Sequence, residues 1–145
     1  MGMGDAAFDP SRFLKAQEPV YATVLRELRS GRKGTHWMWF VFPQLAGLGH
    51  SFMATHYGLA DLDQARLYLR HPVLGARLRE CTRLMNALEG RSAHDILGDP
   101  DEMKFRSSMT LFKHAGPSGG EFATALARYF AGEEDEATLA RLGLG

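Results

Sequence analysis

Cysteine is almost missing from this sequence, with Cys81 the only one in 145 residues. A lone thiol excludes an intramolecular disulfide and a cysteine-rich metal site, and it fits a reducing compartment. An excess of charge is missing too. Lys plus Arg total 17 and Asp plus Glu total 17, so the formal net charge is zero. No long-range field draws in a polyanion, which argues against nucleic acid as a partner, while a local basic pocket for a small phosphate ester stays compatible with neutrality. No segment approaches the roughly 18 apolar residues of a membrane span, and Met1 to Ala7 carry neither a basic flank nor an apolar run. A cytoplasmic protein with no membrane partner is therefore expected. The histidines, His36, His50, His56, His71, His94 and His114, form no pair at i, i+4 and sit in no metal-ligand motif, so neither a metal nor a cofactor is expected. Walker, dinucleotide, calcium and zinc-finger patterns do not occur.

What the chain does have is the composition of one globular domain. Hydrophobic residues make up 45% and charged residues 23%, far from the signature of disorder. The chain is read as a single domain over 1–145, with an ordered core over about 8–132 and looser termini. Asp9-Pro10-Ser11 opens a helix, because an acceptor side chain precedes a proline whose φ suits the first turn. Pro19 divides that region from a second helix, in which Tyr21, Val24, Leu25 and Leu28 make one apolar stripe up to Gly31. Ser51 starts a short helix through Tyr57, and Asp61 with Gln64 has capping-box spacing for a helix to about Arg70. His71-Pro72 restarts the chain into the clearest stripe, Val73 to Leu88. Ser92 with Asp95, then Asp99, Pro100 and Glu102, mark two further starts. Phe122 to Phe130 has helical spacing, and Leu139 with Leu142 offers a terminal turn or helix. The fold class is thus mainly α, a compact assembly of about six to eight helices. Residues 36–42 are the exception, read as a short strand or as an irregular or short helical connector.

Two strings carry the candidate chemistry. The first runs His36-Trp37-Met38-Trp39-Phe40-Val41-Phe42-Pro43-Gln44. Tryptophan rings stack on planar groups and glutamine both donates and accepts, so Trp37 or Trp39 for stacking and His36 and Gln44 for polar contacts are candidates. The competing reading is that these aromatics fill the core. The second string contains Lys104, Ser107, Ser108 and Thr110 on a helix, where the hydroxyls are mediocre helix formers. They suit either a polar pocket wall with Lys104 as its cation or a half-buried packing face. Cys81 lies in the middle of an apolar stripe and reads as inert. Two acidic clusters, one of Asp99, Asp101 and Glu102 and one from Glu133 to Glu136, sit where helices begin, and capping or solvation explains them.

The first string, with His71-Pro72-Val73-Leu74-Gly75, Arg77-Leu78 and Arg106-Ser107-Ser108-Met109-Thr110-Leu111-Phe112, resembles a bacterial family known as domain of unknown function 1810, over about Phe8 to Gly132. The resemblance implies a mainly α-helical protein without an established activity. The label calpastatin-like, sometimes attached to such proteins, comes with no mechanism and is not adopted. A second likeness, confined to Arg12-Phe13-Leu14-Lys15-Ala16-Gln17 and the helical character, is to small proteins that cleave N-glycosidic bonds in nucleotide-derived metabolites, with Glu18 the only nearby carboxylate. The functional expectation is a pocket that binds a small aromatic or phosphorylated metabolite, with hydrolysis as a further step to which no catalytic residue is assigned. The alternative is a protein-interaction module without catalysis, its protein partner unidentified.

Overall fold

The computed structural model describes residues 8–117 and 120–145. Among them the chain forms ten helices: α1 Ser11–Gln17, α2 Tyr21–Ser30, α3 Met38–Val41, α4 Phe52–Tyr57, α5 Leu62–Arg70, α6 Leu74–Ala87, α7 Ala93–Leu97, α8 Asp101–Ala115, α9 Gly120–Phe130 and α10 Glu136–Leu142. The number exceeds the expected six to eight because the segment left open between strand and connector forms the four-residue α3, too short for a hydrophobic period to show, and the terminal turn or helix is the full helix α10. No strand forms among the described residues. The sole β-type pairing there is an isolated parallel bridge between Leu45 and Leu59.

Local chemistry sets most helix ends. Ser51, Asp61 and Asp135 cap α4, α5 and α10 by accepting from the backbone N–H three residues on. Ser92 and Asp95 form a complete capping box at α7. His71 acts as an acceptor at the start of α6, with Nδ1 receiving Val73 N–H at 3.1 Å and Leu74 N–H at 3.2 Å. Gly31 ends α2 with φ of 82°, a left-handed conformation that costs glycine little. At residues 36–42 the strand alternative gives way to one helical turn. Alternation would have sent half of an all-apolar run outward, whereas the turn buries Met38, Phe40, Val41 and the following Phe42 together.

The core is built around α8, which packs against α5, α7, α9 and α10. Its side chains are buried nearly all round, including Phe105, Met109, Leu111 and Phe112. Rings link the layers edge to face: Phe42 meets Phe105 with centroids 4.9 Å apart, and Phe13 meets Tyr68 at 5.0 Å. Hydrogen bonds join the polar groups that this core encloses around Gln17. Its Nε2 donates to Phe40 O at 2.6 Å and to Tyr68 OH at 3.1 Å, while Arg77 reaches Gln17 Oε1 at 3.3 Å. No helix of the described residues is long and apolar enough to cross a membrane.

Candidate functional site

Glu27 on α2 organises the approach to the aromatic string. Its Oε1 accepts from Gly34 N–H at 2.8 Å, Thr35 N–H at 3.1 Å and Trp37 Nε1–H at 2.9 Å, and its Oε2 accepts from the Thr35 hydroxyl at 2.8 Å. Burial opposes the carboxylate charge, but these bonds outweigh it and hold the Glu27 carboxyl below the usual glutamate range. Trp37 is thereby fixed in the core at 1% exposure, and Lys33 Nζ lies 5.2 Å from its ring centroid. The same lysine makes a nearly buried ion pair with Asp101 at 2.8 Å.

Two residues later the environment changes. Trp39 is half-buried, and Lys104 Nζ sits 4.8 Å from its ring centroid. Lys104 is also 3.7 Å from Asp101, so a single carboxylate lies between two ammonium groups. Residues 46–58 then form a loop containing α4. Its base is closed by Leu59 N–H donating to Gln44 O at 2.9 Å and Ala46 N–H donating to Leu59 O at 2.7 Å.

Between this loop, α8 and the start of α10 lies a cleft of about 350 Å³. Gln44, His50, Ser51, Lys104, Ser107 and Asp135 give it polar groups, and Leu48, Ala54 and Met103 give it apolar ones. A much smaller space beside it, lined by Trp39, Met53 and Tyr57, shares Gln44 and Ala54 with the cleft. The two strings singled out from the sequence therefore meet: Gln44 comes from the first, Lys104 and Ser107 from the second, and the Lys104 ammonium lies over the Trp39 ring.

The remaining candidates stand elsewhere. His36 is exposed and does not line the cleft, and Trp37 is enclosed, so its ring faces no solvent-accessible partner. Ser108 and Thr110 are fully buried. Thr110 is structural: its hydroxyl donates to Arg106 O at 2.9 Å and accepts Asp135 N–H at 2.9 Å, tying α8 to the loop before α10. Ser107 donates to Met103 O at 3.1 Å, so Ser107 and Thr110 tolerate the helix by bonding one turn back, while the Ser108 hydroxyl has no partner among the described residues. Cys81 is buried and its thiol is pushed up to about 12, with burial the main cause, as an inert cysteine should be. Near the glycosidase-like segment, Gln17 is in the core and Glu18 pairs with Arg77 at 3.0 Å on the surface, away from the cleft.

Sequence reasoning missed His50, Ser51 and Asp135 as cleft residues. Ser51 and Asp135 carry a signal for capping only, which they fulfil, and nothing local marks His50. Of the acidic clusters only the second caps a helix, through Asp135; α8 has no side-chain cap, and the first cluster pairs instead, Asp101 with Lys33 at 2.8 Å and Glu102 with His94 at 3.0 Å, as Glu134 does with His114 at 2.6 Å. A second cleft, of about 280 Å³, lies between the start of α5 and Arg141. Its polar groups are engaged, since Asp61 caps α5, Asp63 pairs with Arg66 at 3.2 Å and Arg141 Nε donates to Ala46 O at 3.1 Å. No group of three metal-ligating side chains occurs among the described residues.

A family model described as "Protein of unknown function (DUF1810)" matches residues 7–142. Among solved structures, the chain is similar to the conserved hypothetical protein Rv1873 from Mycobacterium tuberculosis, with 52% sequence identity, a TM-score of 0.93, and coverage of 95% of this chain and 99% of that one. No curated protein matches the chain.

Proposed function

Because this chain belongs to the family described as "Protein of unknown function (DUF1810)", we propose its function from its own geometry: it binds a small anionic metabolite in the cleft between α8 and the 46–58 loop. The observation that carries this reading is the convergence of Gln44, Lys104 and Ser107, from two distant strings, on one cleft of about 350 Å³. That volume is within the range of small-molecule sites. Lys104 supplies the charge. Its neighbour Asp101 is already matched by Lys33 at 2.8 Å, and Asp135 uses one carboxylate oxygen to accept from Thr138 N–H at 2.9 Å and the Thr138 hydroxyl at 2.6 Å. An aromatic portion of the ligand is less well served than its anion, because Trp37 is enclosed and Lys104 covers Trp39. Binding is favoured over hydrolysis. Ser107 is hydrogen-bonded to a main-chain carbonyl, and among the described residues no histidine or carboxylate is hydrogen-bonded to it.

Thermal unfolding with a panel of phosphorylated and carboxylated metabolites, inorganic phosphate included, tests the reading. A ligand at a hundred times its Kd stabilises the folded state by about 2.7 kcal/mol. Lys104→Met should abolish that gain while leaving the unliganded melting temperature close to wild type. If no anion stabilises the wild type, or if the variant responds like the wild type, the proposal fails, and a protein-interaction module becomes the better reading.

A further inference from the structure

We propose that the anion this cleft takes is an ω-amino carboxylate, a short aliphatic chain with its carboxylate held by Lys104 and its ammonium group held by Asp135; this rests on the cleft being a small-anion site. Lys104 and Asp135 both line the cleft of about 350 Å³. One oxygen of the Asp135 carboxylate, Oδ2, accepts from Thr138 N–H at 2.9 Å and from the Thr138 hydroxyl at 2.6 Å. Thr138 is fully buried, so these bonds fix the carboxylate against the core. The other oxygen, Oδ1, accepts no hydrogen bond from the described residues, and no cation among them pairs with Asp135. A plain anion would be attracted by Lys104 and repelled by Asp135, whereas a ligand carrying both charges satisfies both walls. A phosphate monoester, with about 1.5–2 negative charges at neutral pH, meets that repulsion most strongly.

The placement of the two charges sets the shape of the ligand. Asp135 N–H donates to the Thr110 hydroxyl at 2.9 Å, which puts Asp135 beside Thr110 on α8. From Lys104 to Thr110 the helix rises about 9 Å, at roughly 1.5 Å per residue. The Lys104 ammonium reaches the other way, toward Asp101 one turn earlier, at 3.7 Å. The charges are thus held apart along the cleft. That separation suits an ammonium and a carboxylate joined by several methylenes better than the adjacent pair of an α-amino acid. Leu48, Ala54 and Met103 line the same cleft, and Met103 is 44% exposed, so apolar surface is open for the methylenes to cover. The Gln44 amide, also in the cleft, adds a neutral donor for the carboxylate.

The experiment is calorimetric titration with 4-aminobutanoate, 5-aminopentanoate and 6-aminohexanoate, each against the plain carboxylate of the same chain length. At least one amino acid should bind about ten-fold or more tightly than its carboxylate, as expected for an added hydrogen bond between charged groups. Asp135→Asn removes the charge and keeps a side chain that caps α10. In that variant the amino acid should fall to the level of its carboxylate, while the carboxylate itself binds no more weakly than to wild type. An advantage of the amino acid that survives Asp135→Asn overturns the proposal. So does a wild type that binds every carboxylate, or another anion such as inorganic phosphate, at least as tightly as its amino counterparts, and this result leaves the small-anion reading intact. An absence of binding by every anion overturns both. Should Asp135→Asn fail to fold, the ω-hydroxy acids, which keep the length without the positive charge, decide the matter on wild type: weaker binding than the amino acids supports the proposal, and equal binding overturns it.

Discussion

Trp37 and Trp39 differ by two positions and have opposite surroundings, and the difference comes from Glu27. A carboxylate ten residues upstream draws Trp37 inward through its indole N–H, together with the backbone of Gly34 and Thr35. Neither tryptophan's fate was legible in the sequence, because the partner that decides it belongs to another helix. The same is true of the hydroxyl run: Ser107, Ser108 and Thr110 read alike, but only Ser107 reaches the cleft. Glu27→Gln tests this anchor. The variant keeps the shape but loses the charge and one acceptor, which should cost about 1.5–3 kcal/mol in denaturant unfolding near neutral pH. The folded carboxyl titrates below the ordinary 4.5, so its contribution is complete above that value and is lost as the pH falls through the lowered one. The gap between wild type and variant should therefore narrow in acid. A gap that is absent at neutral pH, or constant with pH, removes Glu27 from this role.

At the scale of elements, boundaries written by local chemistry were legible and contacts between elements were not. Pro19, Gly31, Ser51, Asp61 and Ser92 each mark a helix end that forms where their chemistry requires it. Position 64 shows the limit. Gln64 accepts from Ala60 N–H at 2.9 Å rather than closing the reciprocal box with Asp61. Gly75 shows it more sharply, since its place in the first turn of α6 gives no hint that the carbonyl of Leu69 presses on it. A β-carbon there would overlap Leu69 O, a backbone atom that cannot rotate away. Gly75→Ala gains roughly 1 kcal/mol of helix propensity, but separating α5 from α6 should cost about 1–3 kcal/mol, and more where backbone must move. Net destabilisation is expected in urea unfolding. Gly34→Ala is the control, because its β-carbon would meet Glu27 Oε2 at an ordinary 3.6 Å. Equal stability of the two variants would show that the α5–α6 corner is not tightly closed.

For the whole molecule, the sequence indicated a mainly helical fold without indicating which helix is central. That place falls to α8, whose polar string made it look like a half-exposed wall but whose side chains are buried almost all round. Two of the three hydroxyls fit this burial by bonding to carbonyls one turn back, which lets Ser107 and Thr110 enter the core without stranding a donor, whereas the buried Ser108 hydroxyl has no partner among the described residues. Through α8 the early and late parts of the chain share one set of rings. Trp37 meets Phe42 at 6.2 Å, Phe42 meets Phe105 at 4.9 Å, and Phe105 meets Tyr129 at 6.1 Å. Neither half can lose its packing without exposing the other's aromatic surface, which is the physical condition for all-or-none unfolding. Tryptophan fluorescence follows the early region alone, because both tryptophans lie there, while far-UV circular dichroism follows every helix. In urea the two signals should give the same midpoint and the same slope. A fluorescence transition that precedes the loss of helix would mean that residues 37–42 detach from α8 as a separate unit, and that the cleft walls are not held by a common core.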